Sequence, residues 1–160
     1  MKILKFILSL FLTILISCEE RNSEPKLILI KASNDQFEHF DTIYGRDISR
    51  TDSIMFWYDN DNFKGSIDTL LILKDQTKLM GKTLEFIREK TFDSQGKKSR
   101  IKKYYYHGDG FHGFNIFYID PMKGIIINTT HNDMIIEYDF IQNRSLIEKI
   151  KNDSLFFGYE

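Results

Sequence analysis

Phe92-Asp93-Ser94-Gln95-Gly96-Lys97 is the stretch on which the fold reading turns. Asp93 opens it, and Gly96 stands where a tight reversal needs a positive backbone angle. Upstream, Lys78 to Phe92 is ambiguous, because Leu79, Leu84, Phe86 and Ile87 fit neither a helical nor a two-residue period. A reversal directly after Phe92 decides for strand, and the segments beyond it agree. Ser99 to His107, Phe114 to Ile119, Ile125 to Thr130 and Met134 to Phe140 are short β-rich runs with turn chemistry between them. In Asp120-Pro121-Met122-Lys123-Gly124, proline presets the first turn residue and glycine takes the left-handed position. His131-Asn132-Asp133 makes the next reversal, since Asn and Asp tolerate the same backbone region.

Toward the N-terminus, Lys26 to Lys31 is a compact apolar run bounded by charge, the mark of a strand inside a sheet. Ala32 to Glu38 is polar and reads as a loop. Ser53 to Tyr58 and Ile67 to Leu73 are the next two strands, with Asp59-Asn60-Asp61-Asn62 as the turn between them. Toward the C-terminus the period changes. Ser145 with Glu148 has the spacing of a capping box, and Leu146, Ile147 and Ile150 share a helical face, with Leu155-Phe156-Phe157 extending the same core. The expected fold is α+β and mainly antiparallel β: a twisted meander sheet or partial barrel with a short C-terminal helix.

The chain has 160 residues, of which 26–160 suit a single domain with one core. Aromatics at 14% and only two prolines favour an aromatic-rich β structure over disorder. The 22 Lys and Arg against 23 Asp and Glu imply no strong field, so nucleic acid has no electrostatic support as a partner.

Residues 1–17 have the parts of a signal peptide: Lys2 and Lys5 at the start, then an apolar run from Phe6 to Ile16. That run falls short of the roughly 20 residues a membrane-crossing helix needs. It ends in Leu15-Ile16-Ser17-Cys18, which resembles the lipobox of bacterial envelope lipoproteins. The resemblance implies cleavage before Cys18, acylation of its thiol and attachment to a membrane, the outer membrane being the expected one. Burial of acyl chain is worth about 0.8 kcal/mol per methylene, so two or more chains hold firmly without a transmembrane helix. Cys18 is the sole cysteine, which leaves no spare thiol in an oxidising compartment and no disulfide or zinc-thiolate site in the mature domain. Residues 18–25 follow as the acylated cysteine and a polar tether closed by Pro25. Their acidic start resembles the surface-export signal of some Gram-negative envelope lipoproteins.

Several constellations offer chemistry. His107, Asp109 and His112 put two imidazoles and a carboxylate in one glycine-rich loop that can offer ligands to a divalent metal, with His131 on a neighbouring reversal. Three glycines around one Asp are equally what a hairpin loop requires. Asp59 to Leu70 begins like a calcium loop, but Phe63, Lys64 and Leu70 stand where a ligand, a glycine and the closing glutamate belong. Lys97, Lys98, Arg100, Lys102 and Lys103 read as cations guarding an exposed edge strand, the alternative being a strip that meets anionic glycans or lipid headgroups. In Tyr104-Tyr105-Tyr106, alternation sends the outer two rings to one face and Tyr105 to the other, so at least one set lines a core. Thr42, Ser53, Thr69 and Ser154 each sit between an Asp and an apolar residue, which resembles the O-glycosylation tripeptide of some Gram-negative envelope proteins.

The chain carries no nucleophile elbow, no zinc-protease helix motif, no phosphate loop and no dinucleotide fingerprint, and no cofactor is implied. The expectation is a membrane-anchored envelope lipoprotein that is not an enzyme, its β-rich domain binding a protein, glycan or lipid partner or serving a structural role. Two alternatives stand beside it: a metal-dependent enzyme or metal binder built on His107, Asp109 and His112, and a lipid-anchored inhibitor or immunity protein.

Overall fold

The computed structural model describes residues 21–50, 52–59, 67–107, 114–130 and 133–158. Twelve strands build one antiparallel sheet: β1 (Arg21–Asn22), β2 (Lys26–Ser33), β3 (Glu38–Arg50), β4 (Ser53–Asp59), β5 (Ile67–Leu73), β6 (Thr77–Leu79), β7 (Lys82–Thr83), β8 (Glu85–Ser94), β9 (Lys97–His107), β10 (Phe114–Asp120), β11 (Gly124–Thr130) and β12 (Ile135–Tyr138). Helices α1 (Phe140–Asn152) and α2 (Ser154–Phe157) complete the chain.

Neighbours in sequence are neighbours in the sheet from β2 to β7 and again from β8 to β12, and β12 pairs with β2. The meander therefore curls until its first and last long strands meet. The two ends of the sheet, β7 and β8, are joined covalently through Leu84, whose N–H donates to the Thr77 carbonyl. The stretch 82–94 thus serves β6 with its first residues and β9 with the rest, which nearly closes the barrel. Inside this seam, Thr77 Oγ1 donates to the Tyr104 hydroxyl at 2.8 Å.

Two cores result, one on each face of the sheet. Ile43, Phe56, Leu70, Leu79, Tyr104 and Phe117 fill the barrel, and Leu70 is wholly enclosed. Ile101, Ile116, Tyr118, Ile126 and Ile127 form the outer core, which Leu146, Ile147 and Ile150 of α1 and Phe156 of α2 cover. A register shift between Tyr118 and Ile119 leaves Ile126 as an extra residue in β11, so Ile126 and Ile127 both reach the helix side. Full burial of such a side chain is worth about 1.5–3 kcal/mol.

The expected mainly antiparallel β fold with a curled meander and a C-terminal helix is what forms, and several details differ from the sequence reading. β3 was not foreseen, because Gly45, Arg46 and Asp47 interrupt its apolar alternation. Gly45 faces inward, and a Cβ there would run into Ile28. Phe86 and Ile87 fit no period because both are exposed, on the stretch of β8 where the sheet parts from β6. The capping box at Ser145 is a correction. Helix α1 starts at Phe140 after Asp139, which takes the left-handed conformation (φ 49°), and Glu148 pairs with Arg144 (3.1 Å) one turn back. Leu155 does not extend the core as expected, being 77% exposed, whereas Phe156 does.

The cationic strip is corrected as well. β9 is an interior strand between β8 and β10 rather than an edge, and Lys103 is 1% exposed. Its amine points to the helix side, donates to the Gly158 carbonyl (2.5 Å) and lies over the Tyr118 ring. The charged edge is β8, whose Arg88 donates to the Leu155 carbonyl (3.0 Å) and whose Lys90 pairs with Asp153.

The polar stretch before β2 is tied to the barrel. Arg21–Asn22 pairs with β3, and Ser23 Oγ both donates to the Asp47 carbonyl (3.0 Å) and accepts from the Asp47 N–H (2.8 Å).

Candidate site at the barrel mouth

One end of the barrel opens into a cleft of about 290 Å3 between the sheet and the start of α1. Its walls come from separate elements: Lys26 and Ile28 of β2, Tyr58 of β4, the β8–β9 turn with Lys97 and Ser99, Lys123 and Ile125 at the β10–β11 turn, and Tyr138, Asp139, Gln142, Asn143 and Leu146 around the helix start.

The β10–β11 turn sets the geometry. Asp120 Oδ1 accepts from the Met122 N–H (2.8 Å), the Lys123 N–H returns to the Asp120 carbonyl (3.1 Å), and Gly124 takes φ 86° to re-enter the sheet. Only glycine fits there on two counts, since a Cβ would also collide with the Tyr58 hydroxyl and crowd the Phe56 ring at 3.0 Å. Tyr58 reaches across the barrel from β4 so that its oxygen accepts from the Ile125 N–H at 2.9 Å. That bond ties opposite walls together directly beneath the cleft.

Three ammonium groups rim the cleft. Lys123 donates to Ser99 Oγ (3.2 Å) and stands 4.0 Å from Asp120 Oδ2, while Lys26 and Lys97 have no ion-pair partner among the described residues. Facing them is one carboxylate, Asp139. Burial pushes its pKa above the ordinary carboxylate value, and the charges of Lys26 and Lys123 oppose that rise. Its side chain makes no capping bond to the first turn of α1. Ile28, Ile125 and Leu146 give the floor an apolar character.

A second groove, between β2, β3 and α1, is larger at about 540 Å3 and presents Phe40 and Ile141. Its cations are already matched, Lys31 by Glu38, Arg144 by Glu148 and Lys151 by Glu137 (2.9 Å). The lysines of the mouth are less fully matched than the cations of this groove.

No family model, curated protein or solved structure matches this chain. The site therefore rests on its own chemistry.

The residues singled out in the sequence fare unevenly. Cys18, Asp109, His112 and His131 lie outside the described residues, and His107 is the last residue of β9, paired with Phe114. Among the described residues no group of three or more His, Cys, Asp or Glu is placed to hold a metal. Thr42 is exposed on β3, with its N–H bonded to Asp41 Oδ1 (2.7 Å), and Ser154 is exposed at the start of α2, where Asp153 acts as cap by accepting from the Phe156 N–H (3.2 Å). Ser53 and Thr69 are half-buried within the sheet. Tyr104 and Tyr106 turn into the barrel and Tyr105 to the helix side, so both sets serve cores. Of the cationic strip only Lys97 reaches the mouth. Lys26, Lys123 and Asp139 were missed, because nothing local distinguishes them from solvated charge.

Proposed function

We propose that this chain is a lipid-anchored protein of the cell envelope, cleaved before Cys18 and held at the outer membrane, whose barrel acts as a binding module seated close to the bilayer. The observation that carries the reading is the short distance in sequence from the lipobox-like Leu15-Ile16-Ser17-Cys18 to the first strand. Arg21 is already paired with Ser49, so only Glu19 and Glu20 separate the anchoring residue from the barrel. Three residue steps span at most about 10 Å. A barrel so tethered stays at the membrane surface, with its mouth on rigid elements. None of the helices among the described residues is long and apolar enough to cross a membrane; the attachment proposed is by acyl chains on Cys18, as the lipobox resemblance implies.

The test is intact-mass analysis and fractionation of the chain expressed in a Gram-negative host. A mature mass starting at Cys18 plus two or three acyl chains, with membrane association lost in Cys18→Ser, is the expected result. Unchanged processing and envelope association of Cys18→Ser would refute the anchor. The same spectrum reads Thr42 and Ser154, the two exposed O-glycosylation candidates, as added hexose-type mass.

A further inference from the structure

We propose that the barrel mouth binds a compact organic anion, a carboxylate or phosphate on a small hydroxylated or apolar body. This names the ligand class of the binding module above and does not depend on the lipid anchor. Lys26, Lys97 and Lys123 come from three separate elements to one cleft, against two carboxylates, Asp139 in its wall and Asp120 at 4.0 Å from Lys123. The three ammonium groups outnumber those two carboxylates by one, and a bound anion would balance the remaining charge. In the groove along α1 the cations are paired internally, whereas Lys97 makes no ion pair among the described residues and Lys26 meets only the charge of Asp139.

The remaining lining fits the rest of such a ligand. Ile28, Ile125 and Leu146 offer an apolar floor for its body, and Ser99 and Gln142 are at hand for hydroxyl groups. With a water occupying about 30 Å3 of liquid volume, the cleft of about 290 Å3 takes a body the size of one sugar ring and its acidic group. The Tyr58 bond to Ile125 and the fixed β10–β11 turn keep the floor in place, so ordering costs on binding are small.

Asp139 supplies the sign test. It faces Lys26 from β2 and Lys123 from the β10–β11 turn, with Lys97, Tyr58 and Tyr138 lining the same space. Its charge opposes an anion, and Asn tolerates the same left-handed backbone, so Asp139→Asn removes the charge without disturbing the turn.

The experiment is an amide-shift titration of the full chain in detergent with inorganic phosphate, glucose 6-phosphate, glucuronate and neutral glucose. Short-chain phosphatidylglycerol in the same detergent tells a lipid headgroup from a free anion. Saturable shifts are expected at the β8–β9 turn, Lys123–Ile125 and Gln142–Asn143 with one or more anionic probes and not with glucose. Each of Lys26→Gln, Lys97→Gln and Lys123→Gln should weaken binding about two- to fivefold, the range of a solvent-exposed ion pair, and Asp139→Asn should strengthen it by a similar factor. Lys74→Gln, exposed in the distant β5–β6 turn, should change nothing. The proposal is overturned if no anion gives saturable shifts at about 20 mM, where a ligand of 1 mM Kd is nearly saturating. It is equally overturned if Lys74→Gln weakens binding as much as the mouth variants do, or if Asp139→Asn weakens it. A protein that binds anions yet shows no acyl mass sinks the anchor and keeps this site.

Discussion

Gly124→Ala tests whether the mouth is held together by the contact between the β10–β11 turn and Tyr58. The substitution places a side chain at φ 86°, which costs about 1–2 kcal/mol for a residue other than glycine. It also drives the Tyr58 ring out of position, because the new Cβ would occupy the space of its hydroxyl. The Ile125 N–H then loses its acceptor in a buried setting, for about another 1–3 kcal/mol. The expected total is about 2–5 kcal/mol. Tyr58→Phe alone removes the same acceptor and should cost the same, about 1–3 kcal/mol. In Gly124→Ala with Tyr58→Phe, the Cβ fits where the oxygen was and the lost bond is counted once. The pair should therefore be less destabilised than the sum of the singles by about 1–3 kcal/mol. Urea unfolding of the four proteins, with midpoint and slope fitted together, measures the cycle. Additivity within about 0.3 kcal/mol, the behaviour of independent sites, would refute the contact as the organiser of the mouth.

Other consequences are simpler. Burial, and secondarily the charge of Arg88, lowers the pKa of Lys103 from 10.5, so its charge costs stability in full below the folded value and is relieved as pH rises from there toward 10.5. Lys103→Met should thus be more stable than the parent by about 1–2 kcal/mol at pH 7, with the gap closing in alkaline urea titrations; a gap constant with pH would contradict this. Asp153 has the opposite sign: its bond to Lys90 leads the causes that hold its pKa below 3.8, so it stabilises above the unfolded value and loses that contribution as pH falls through the folded one. Asp153→Ala should cost about 1 kcal/mol at pH 7 through the lost cap of α2, and the difference between the two proteins should vanish in acid unfolding curves. Ser23→Ala removes both side-chain bonds to Asp47 at a cost of about 1–2 kcal/mol. Faster hydrogen exchange at the Asp47 amide with global exchange unchanged would show that β1 detaches locally.

The strands that were legible from sequence are those whose boundaries are written in turn chemistry. Gly96 takes the positive φ that the Asp93–Gly96 reading requires, with Gln95 before it positive as well, and in the Asp120–Gly124 turn Gly124 alone does so. β3 escaped because its inward positions are met by Gly45 and Ile43 together, a pattern that looks polar when read alone and makes sense only against Ile28 on β2. The helix start escaped for a related reason. Asp139 begins α1 by backbone conformation, without a side-chain cap, so the Ser145 and Glu148 pair was the more conspicuous signal and the wrong one.

The mouth was illegible on different grounds. A metal or nucleophile site often concentrates its residues in a short motif, because chemistry at one atom needs ligands held by one or two elements. A binding rim made by barrel closure has no such requirement. Lys26 and Asp139 come together because β12 pairs with β2, and Lys123 joins them because the β10–β11 turn folds against Tyr58 from β4. In sequence each is an ordinary surface charge beside a strand end. What distinguishes them is that they share one cleft, and that meeting exists only after the sheet has curled. Arg21–Asn22 continues the β2–β3 pairing along β3, and that hairpin brings the barrel within three residues of Cys18.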